Sequence, residues 1–239
     1  MRRPTLSDQL GPFEVFPGRE LAVGRPIVAR LLGRRFDQIF ENGGYDRPYD
    51  GRFGKAMVKT LTYLSTTLGA SFGFAELTEL SLYAVANGGD ARRLLSRIAG
   101  EASGKLSLML GEVATFEARL YEFPDVQLAH EYFRWRQAEA YNRAIDGYAL
   151  HVLTQSGADQ SAVPRILDGL GPDEKVELMR QNSLDFAQVP AWQKRGASVR
   201  VRPSGDGERS PGVGGARLLV DLNLPFESEF TDYLKQSIV

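Results

Sequence analysis

The stretch GFAELTELSLY, residues 73–83, alternates apolar and polar side chains on both sides of a polar break. Alternation of period two marks a half-buried strand, and two such runs around a short break make a β-hairpin. The tight turn falls around Leu77, Thr78 and Glu79. Glu76 and Glu79 flank Thr78, so the turn holds two carboxylates and a hydroxyl. That pattern is compatible with a former metal site, a rearranged one or a plain polar turn. Strand alternation continued through the turn would put residues 76 and 78 on one face and 77 and 79 on the other.

Upstream, RPIVARLL (25–32) is a short apolar run of the kind that forms a central strand. Turn residues follow at Asn42–Gly44, and Asp50 is placed to N-cap a helix through GRFGKAMVKTLTYLSTTL. Phe53, Met57, Leu61 and Leu64 recur at steps of three and four, giving that helix one buried face. Downstream, Asn87–Asp90 breaks the chain before the helix ARRLLSRIAGEASGKLSLML. Its small residues Ala99, Gly100, Ala102, Ser103 and Gly104 predict close packing on a sheet. EVATFEARLYEF reads as a fourth strand, and helix signals return from Asp125 to about Leu153, with Gln137 interrupting the apolar stripe. A short helix from Val163, a helix in GPDEKVELMRQ, a strand in RLLVDLNLPF and a terminal helix in ESEFTDYLKQSIV complete the reading. The run 202–217, rich in Gly, Ser, Pro and charge, reads as a flexible loop.

Strand, helix, strand, strand, helix, strand suits an α+β fold with an antiparallel sheet and helices on one face. The leading candidate is the ferredoxin-like arrangement, which is also the polymerase palm, with C-terminal helical and β additions. In it the end of the first strand comes close to the central hairpin turn. The whole chain, 1–239, is read as one palm-like domain.

Bulk properties narrow the function classes. The 239 residues are 43% hydrophobic and 25% charged, ordinary for a globular protein, and no apolar run is long enough to span a bilayer. The start, MRRPTLSDQLG, has two arginines but lacks the following apolar block of a signal peptide, and for a chain without cysteine the simplest compartment is the cytoplasm. The absence of cysteine removes disulfides, thiolate metal sites and thiol nucleophiles together. A net charge of −1 means that any nucleic-acid contact must come from local clusters. Such clusters occur at 33–36, 91–97, 132–137 and 192–196. His130 and His151 are too isolated to suggest a metal or nucleophilic site, and no Walker loop or nucleophile elbow is present.

With these blocks in view, the chain resembles the tRNA(His) guanylyltransferase family, and more narrowly its bacterial and archaeal like-proteins, which repair truncated tRNA 5′ ends by 3′-to-5′ nucleotide addition. VARLLGRRF (28–36), RPYDGRF (47–53), GFAELTELSL (73–82), IAGEASGKLSLMLG (98–111), YFRWRQAEAYNRA (132–144), DEKVEL (173–178) and VPAWQKRG (189–196) match its blocks in order. The departures fall on the chemistry. The family has Asp-Gly-Arg after its first strand, and this chain has Leu32-Gly33-Arg34; the family has Ser-Asp-Glu at the hairpin, and this chain has Leu77-Thr78-Glu79. In the family those two Asp, with the Gly carbonyl, hold two magnesium ions. Leu32 offers no side-chain oxygen and Thr78 only a neutral hydroxyl, so Leu32 and Thr78 mark a degenerate metal site and the hairpin reads best as a former one.

The resemblance implies a nucleotide site of Gly33, Arg34, Arg47, Asp50 and Arg93, because guanidinium groups bind phosphate with or without a metal. It implies catalytic roles for Lys175, and for Glu79 if activity is retained, with magnesium as cofactor in that case and no certain cofactor otherwise. Arg134, Arg136, Lys194 and Arg195 are the expected RNA contacts, with Trp135 or Trp192 as stacking surfaces or buried anchors. Glu139, Tyr141 and Arg143 stand where the family tends to have Asp, His and Asn. The implied partners are a nucleoside triphosphate, a tRNA or RNA 5′ end and further copies of the chain, a tetramer by resemblance, with no membrane. Three readings follow: a degenerate member that keeps nucleotide or tRNA-end binding, an active enzyme with rebuilt metal ligands, and a structural or regulatory subunit of an intact paralogue.

Overall fold

The computed structural model describes residues 18–159, 161–202 and 217–238. The expected loop at 202–217 lies outside them except at its two ends. The first unit is β1 (Pro26–Arg34), α1 (Phe36–Asn42), α2 (Gly51–Leu68), β2 (Phe72–Ala75), β3 (Glu79–Val85), α3 (Ala91–Leu110) and β4 (Thr115–Glu122). There follow α4 (Val126–Gln155), α5 (Val163–Asp168), α6 (Pro172–Gln181), a 3-10 turn (Phe186–Gln188), α7 (Ala191–Arg195), β5 (Ala197–Arg202), β6 (Arg217–Asp221) and α8 (Glu227–Ser237). The strands form one sheet in the order β4-β1-β3-β2-β5-β6, every described pairing antiparallel. Its first four strands have the ferredoxin-like order, the palm that the sequence predicts, and β5 and β6 extend it.

Both faces of the sheet are covered because the central strands are apolar on both sides. Ala29, Leu31, Leu80 and Leu82 pack against Phe53, Met57, Leu61 and Leu64 of α2 and Ile98, Ala102 and Leu106 of α3. The alternate residues Val28, Phe72, Phe74 and Tyr83 face Ala129, Tyr132 and Phe133 of α4 and Phe230 and Leu234 of α8. The C-terminal half of α4 leaves the sheet, and there Ala144, Ile145, Ala149 and Val152 pack with Met179 of α6 and Phe186. This change of partner explains Gln137: it is buried at the crossing, and its amide donates to the Pro225 carbonyl at 2.9 Å.

Asp50 caps α2 as predicted, accepting from the backbone N–H of Arg52 at 2.6 Å and of Phe53 at 3.4 Å. Four elements were not read from the sequence: α1, the 3-10 turn, α7 and β5. One packing expectation fails: Gly100 and Gly104 look away from the sheet into open space, and Ala102 and Ser103 make the close contact, Ser103 Oγ accepting from the Phe116 N–H at 2.9 Å.

Candidate functional site

The hairpin turn is tied to the end of β1, as the palm arrangement requires. The Gly33 N–H donates to the Thr78 carbonyl at 2.8 Å, and Leu32 lies opposite Glu79 in the β1–β3 ladder. A Cβ on Gly33 would lie 2.2 Å from the Phe36 ring, so a side chain there would displace the start of α1.

Glu76 and Glu79 are both buried and share one face, which corrects the expectation from alternation. The ladder explains it. Ala75 pairs with Leu80, and the Glu76 N–H donates to the Glu79 carbonyl at 3.0 Å, so 76 and 79 are cross-strand partners. Residues directly opposite in an antiparallel pair project to the same side. Their burial also sets aside the plain polar turn among the three alternatives.

Three guanidinium groups meet the two carboxylates. Arg30 of β1 donates from Nε to Glu79 at 2.6 Å. Arg136 of α4 lies against Glu76 and, through Nη2, 3.0 Å from Glu79. Arg143, two turns further along α4, places Nη1 3.1 Å from Glu76 and 2.8 Å from Glu79. Thus one nitrogen of Arg136 and one of Arg143 each bridge both carboxylates. The Trp135 ring covers the cluster, with Arg30 and Arg136 carbons 5.2 and 4.8 Å from its centroid.

Burial pushes the Glu76 carboxyl up, to about 7, against the pull of Arg136 and Arg143. Burial acts the same way on Glu79, but the Arg30 hydrogen bond and the charges of Arg136 and Arg143 hold it below its ordinary value. The two therefore have opposite pH linkage. Folded Glu76 holds its proton more tightly than the unfolded chain does, so stability falls as pH rises from about 4.3 to about 7. The Glu79 contribution is present above about 4.3 and is lost as pH falls through its lower folded value. Glu76→Gln is expected to remove the decline: urea midpoints near pH 5 and near pH 8, higher near 5 in the unaltered chain, should converge in the variant. An equal difference in both proteins would refute the assignment.

A cavity of about 170 Å³ opens beside the cluster. Its walls are Glu76, Leu77 and Thr78 of the hairpin, Pro48 and Tyr49 of the preceding loop, and Arg143 and Gly147 of α4. Lys175 is held next to this region by an ion pair of 2.7 Å with Asp146, the neighbour of Gly147. Arg34 and Arg47 stand exposed at the same end of the sheet; Arg47 lies 4.8 Å over the Phe40 ring.

Other predicted site residues do not come together here. Arg93 begins α3 at the opposite end: Val85, just before it in the fold, pairs with Pro26, whereas Glu79 pairs with Leu32. Six residues of strand separate those ends, about 20 Å at roughly 3.3 Å per residue. Asp50 is buried and saturated by its cap bonds, the Asp46 N–H at 2.9 Å and Arg52, whose hydrogen bond holds the carboxyl well below the usual range. It organises the start of α2 and has no free edge for a nucleotide. Arg136 and Lys194 are buried, which corrects the expectation of RNA contacts; the Lys194 ammonium donates to the carbonyls of Phe186 and Ala187 at 3.0 and 2.9 Å. Half-buried Arg195 donates to the Leu224 carbonyl at 3.2 Å and fixes the segment after β6. Arg134 stays exposed, paired with Glu131 at 2.9 Å, on the wall of a groove between α4 and α8. Acidic Glu131, Glu227 and Asp232 alternate there with Arg134 and Lys235, so its charge does not single out RNA. Trp192 is packed against Gly54, the anchor role.

Sequence reasoning missed Arg30 altogether and counted Arg143 only as a drifted position. A signal for Arg30 was present: a charge inside the apolar run PIVARLL must be paired if the strand is central. The two magnesium ions that the resemblance implies do not fit the residues present. Leu32 and Thr78 bring no carboxylate, and Glu76 and Glu79 are engaged by guanidinium groups where a cation would sit. Among the described residues no three His, Cys, Asp or Glu side chains are grouped as metal ligands.

No family model matches the chain. Among curated proteins, an uncharacterized protein of Acanthamoeba polyphaga mimivirus is 23% identical, over 82% of this chain and 76% of its own length. Among solved structures, a bacterial tRNA(His) guanylyltransferase-like protein in complex with ATP is 22% identical with a TM-score of 0.78, covering 98% of this chain and 99% of that one. A bacterial like-protein in complex with GTP is 21% identical with a TM-score of 0.74, covering 97% of each. The tRNA(His) guanylyltransferase of Saccharomyces cerevisiae is 16% identical with a TM-score of 0.72, over 79% of this chain and 91% of that one. Extending over almost the full length of both chains in the bacterial pair, the likeness gives this protein the fold of the tRNA(His) guanylyltransferases and their like-proteins.

Proposed function

We propose that this chain is a degenerate 3′-to-5′ nucleotidyltransferase that binds a nucleoside triphosphate, a tRNA 5′ end or both, with catalysis lost or much reduced. The observation that carries the reading is the ion cluster at the hairpin: Arg30, Arg136 and Arg143 neutralise the only carboxylates at the turn, and Leu32 and Thr78 supply none. Chemistry of this class stabilises charge on a triphosphate with metal ions, and carboxylates are their protein ligands. Support for retained binding comes from Arg34 and Arg47, exposed at the hairpin end of the sheet, from Lys175, held by Asp146 on the helix that borders the cavity, and from similar structures in complex with ATP and GTP. Assembly as a homo-oligomer is part of the proposal and is checked by sedimentation.

The test is incubation with a 5′-truncated tRNA, labelled GTP, ATP and magnesium. No incorporation above a protein-free control is expected, with GTP still raising the melting temperature. Incorporation that Glu79→Ala abolishes would overturn the proposal in favour of an active enzyme with rebuilt ligands. No thermal shift with any nucleotide or RNA would leave the structural-subunit reading.

A further inference from the structure

We infer that the cavity beside the hairpin is a divalent-independent seat for a phosphoryl group, in which the Arg143 guanidinium stands in for the metal ion. The inference rests on the proposed nucleotide binding and assigns it a contact. Arg143 is the half-open member of the cluster, its side chain 41% exposed, while Arg136 is sealed at 1%. Its Nη1 bridges Glu76 and Glu79, and no described residue takes a hydrogen bond from its Nε or Nη2. That leaves a donor edge on the cavity wall, and a guanidinium edge matches two phosphate oxygens. On the same wall the Thr78 hydroxyl makes no hydrogen bond to a described residue, so a second donor is at hand.

Charge and size agree. Arg30, Arg136 and Arg143 against Glu76 and Glu79 leave at least one positive charge in excess where the cavity opens, one when both carboxylates are ionised. The acidic groups nearest on α4, Glu139 and Asp146, lie one turn before Arg143 and next to Gly147, and Asp146 is neutralised by Lys175. A volume of about 170 Å³ is several times the roughly 30 Å³ share of a water molecule and below the pockets of about 300–1,000 Å³ that hold whole ligands. It takes one or two phosphoryl groups and leaves a nucleoside outside, towards Arg34 and Arg47. Glu76 also borders the cavity, and its repulsion of an anion is offset by its pairing with Arg136 and Arg143, while Glu79 is paired with the same two groups and does not line the wall. Arg143 thus performs the two electrostatic tasks of a bridging cation: it binds the carboxylates on one side and the phosphate on the other.

Calorimetric titrations with inorganic pyrophosphate and with GTP, in EDTA and in magnesium, test this. Both are expected to bind in EDTA. Arg143→Ala should weaken both by about tenfold or more, the size expected for a charged hydrogen-bonding group, and Thr78→Val by a smaller factor. Should Arg143→Ala fail to fold, Arg143→Lys keeps the charge without the fork and Thr78→Val leaves the cluster untouched; unchanged affinity in both overturns the seat. Binding of GTP only with magnesium, or undiminished in Arg143→Ala, overturns the inference and leaves nucleotide binding standing. Failure of both ligands to bind under every condition removes the seat and nucleotide binding together.

Discussion

Arg136→Ala is expected to cost about 3–5 kcal/mol of stability, the range for breaking a buried ion pair by removing one partner. The side chain is 1% exposed and lies between Glu76 and Glu79, which are 6% and 8% exposed. Its loss leaves two carboxylates in the protein interior with Arg30 and the half-open Arg143 as the remaining cations. It also removes the guanidinium stacked on Trp135 and opens a void under α4. One feature tempers the loss: Arg136 Nε and Nη1 are buried without a partner, so the variant also sheds two unsatisfied donors. The melting temperature should drop by roughly 6–20 °C for a chain of this size. Arg136→Met separates charge from volume, since it refills the space and still leaves the carboxylates unmatched. Adding Glu76→Gln to it should recover about 1 kcal/mol or more, because contacting groups of one network are not additive. A urea-denaturation loss below about 1 kcal/mol for Arg136→Ala would show that water or the other arginines already carry the carboxylates.

Gly196→Ala is expected to be nearly as damaging, for reasons of backbone. Gly196 joins α7 to β5 with φ 75° and ψ −175°, a region in which only glycine sits without strain. A Cβ there would also lie 2.4 Å from the Phe74 ring and 2.8 Å from the Ala75 carbonyl. The second contact cannot relax by a side-chain rotation, because Ala75 pairs with Ala197 in the β2–β5 ladder. Strain of about 1–3 kcal/mol plus displacement of that ladder gives a loss of about 3 kcal/mol or more. Gly100→Ala is the control: Gly100 lies within α3 over open space, so alanine there should be neutral or stabilising by up to about 1 kcal/mol. Equal stabilities for the two variants would refute the account.

The palm was legible because its signals are local. Phe53, Met57, Leu61 and Leu64 mark a face by spacing alone, and Asp50 and Asp125 stand where caps belong. β5 alternates in polarity, Ala197 and Val199 with Ser198 and Arg200, although Ser198 is as buried as its neighbours; its length is set by Gly196 and by pairing with β2, neither of which is a sequence property. The short helix α1 follows Arg35, a residue with positive φ that makes no side-chain cap, so it carries no start signal. At the site, the loss of metal ligands was legible residue by residue at Leu32 and Thr78. What replaces them was not. Arg30, Arg136 and Arg143 come from β1 and α4, more than a hundred residues apart, and meet only because α4 crosses the sheet face above the hairpin. The burial of Glu76 and Glu79 likewise depends on cross-strand pairing, which periodicity along a single strand does not reveal.

Trp135 is one of two tryptophans, and its indole carries the guanidinium groups of Arg30 and Arg136 on its ring. The other, Trp192, is packed far along the chain against Gly54 and has no such neighbour among the described contacts. Indole emission responds to charge beside the ring, so the protein carries its own optical gauge of the arginine layer. With Trp192→Phe as background, the remaining fluorescence follows that layer alone, without any added label.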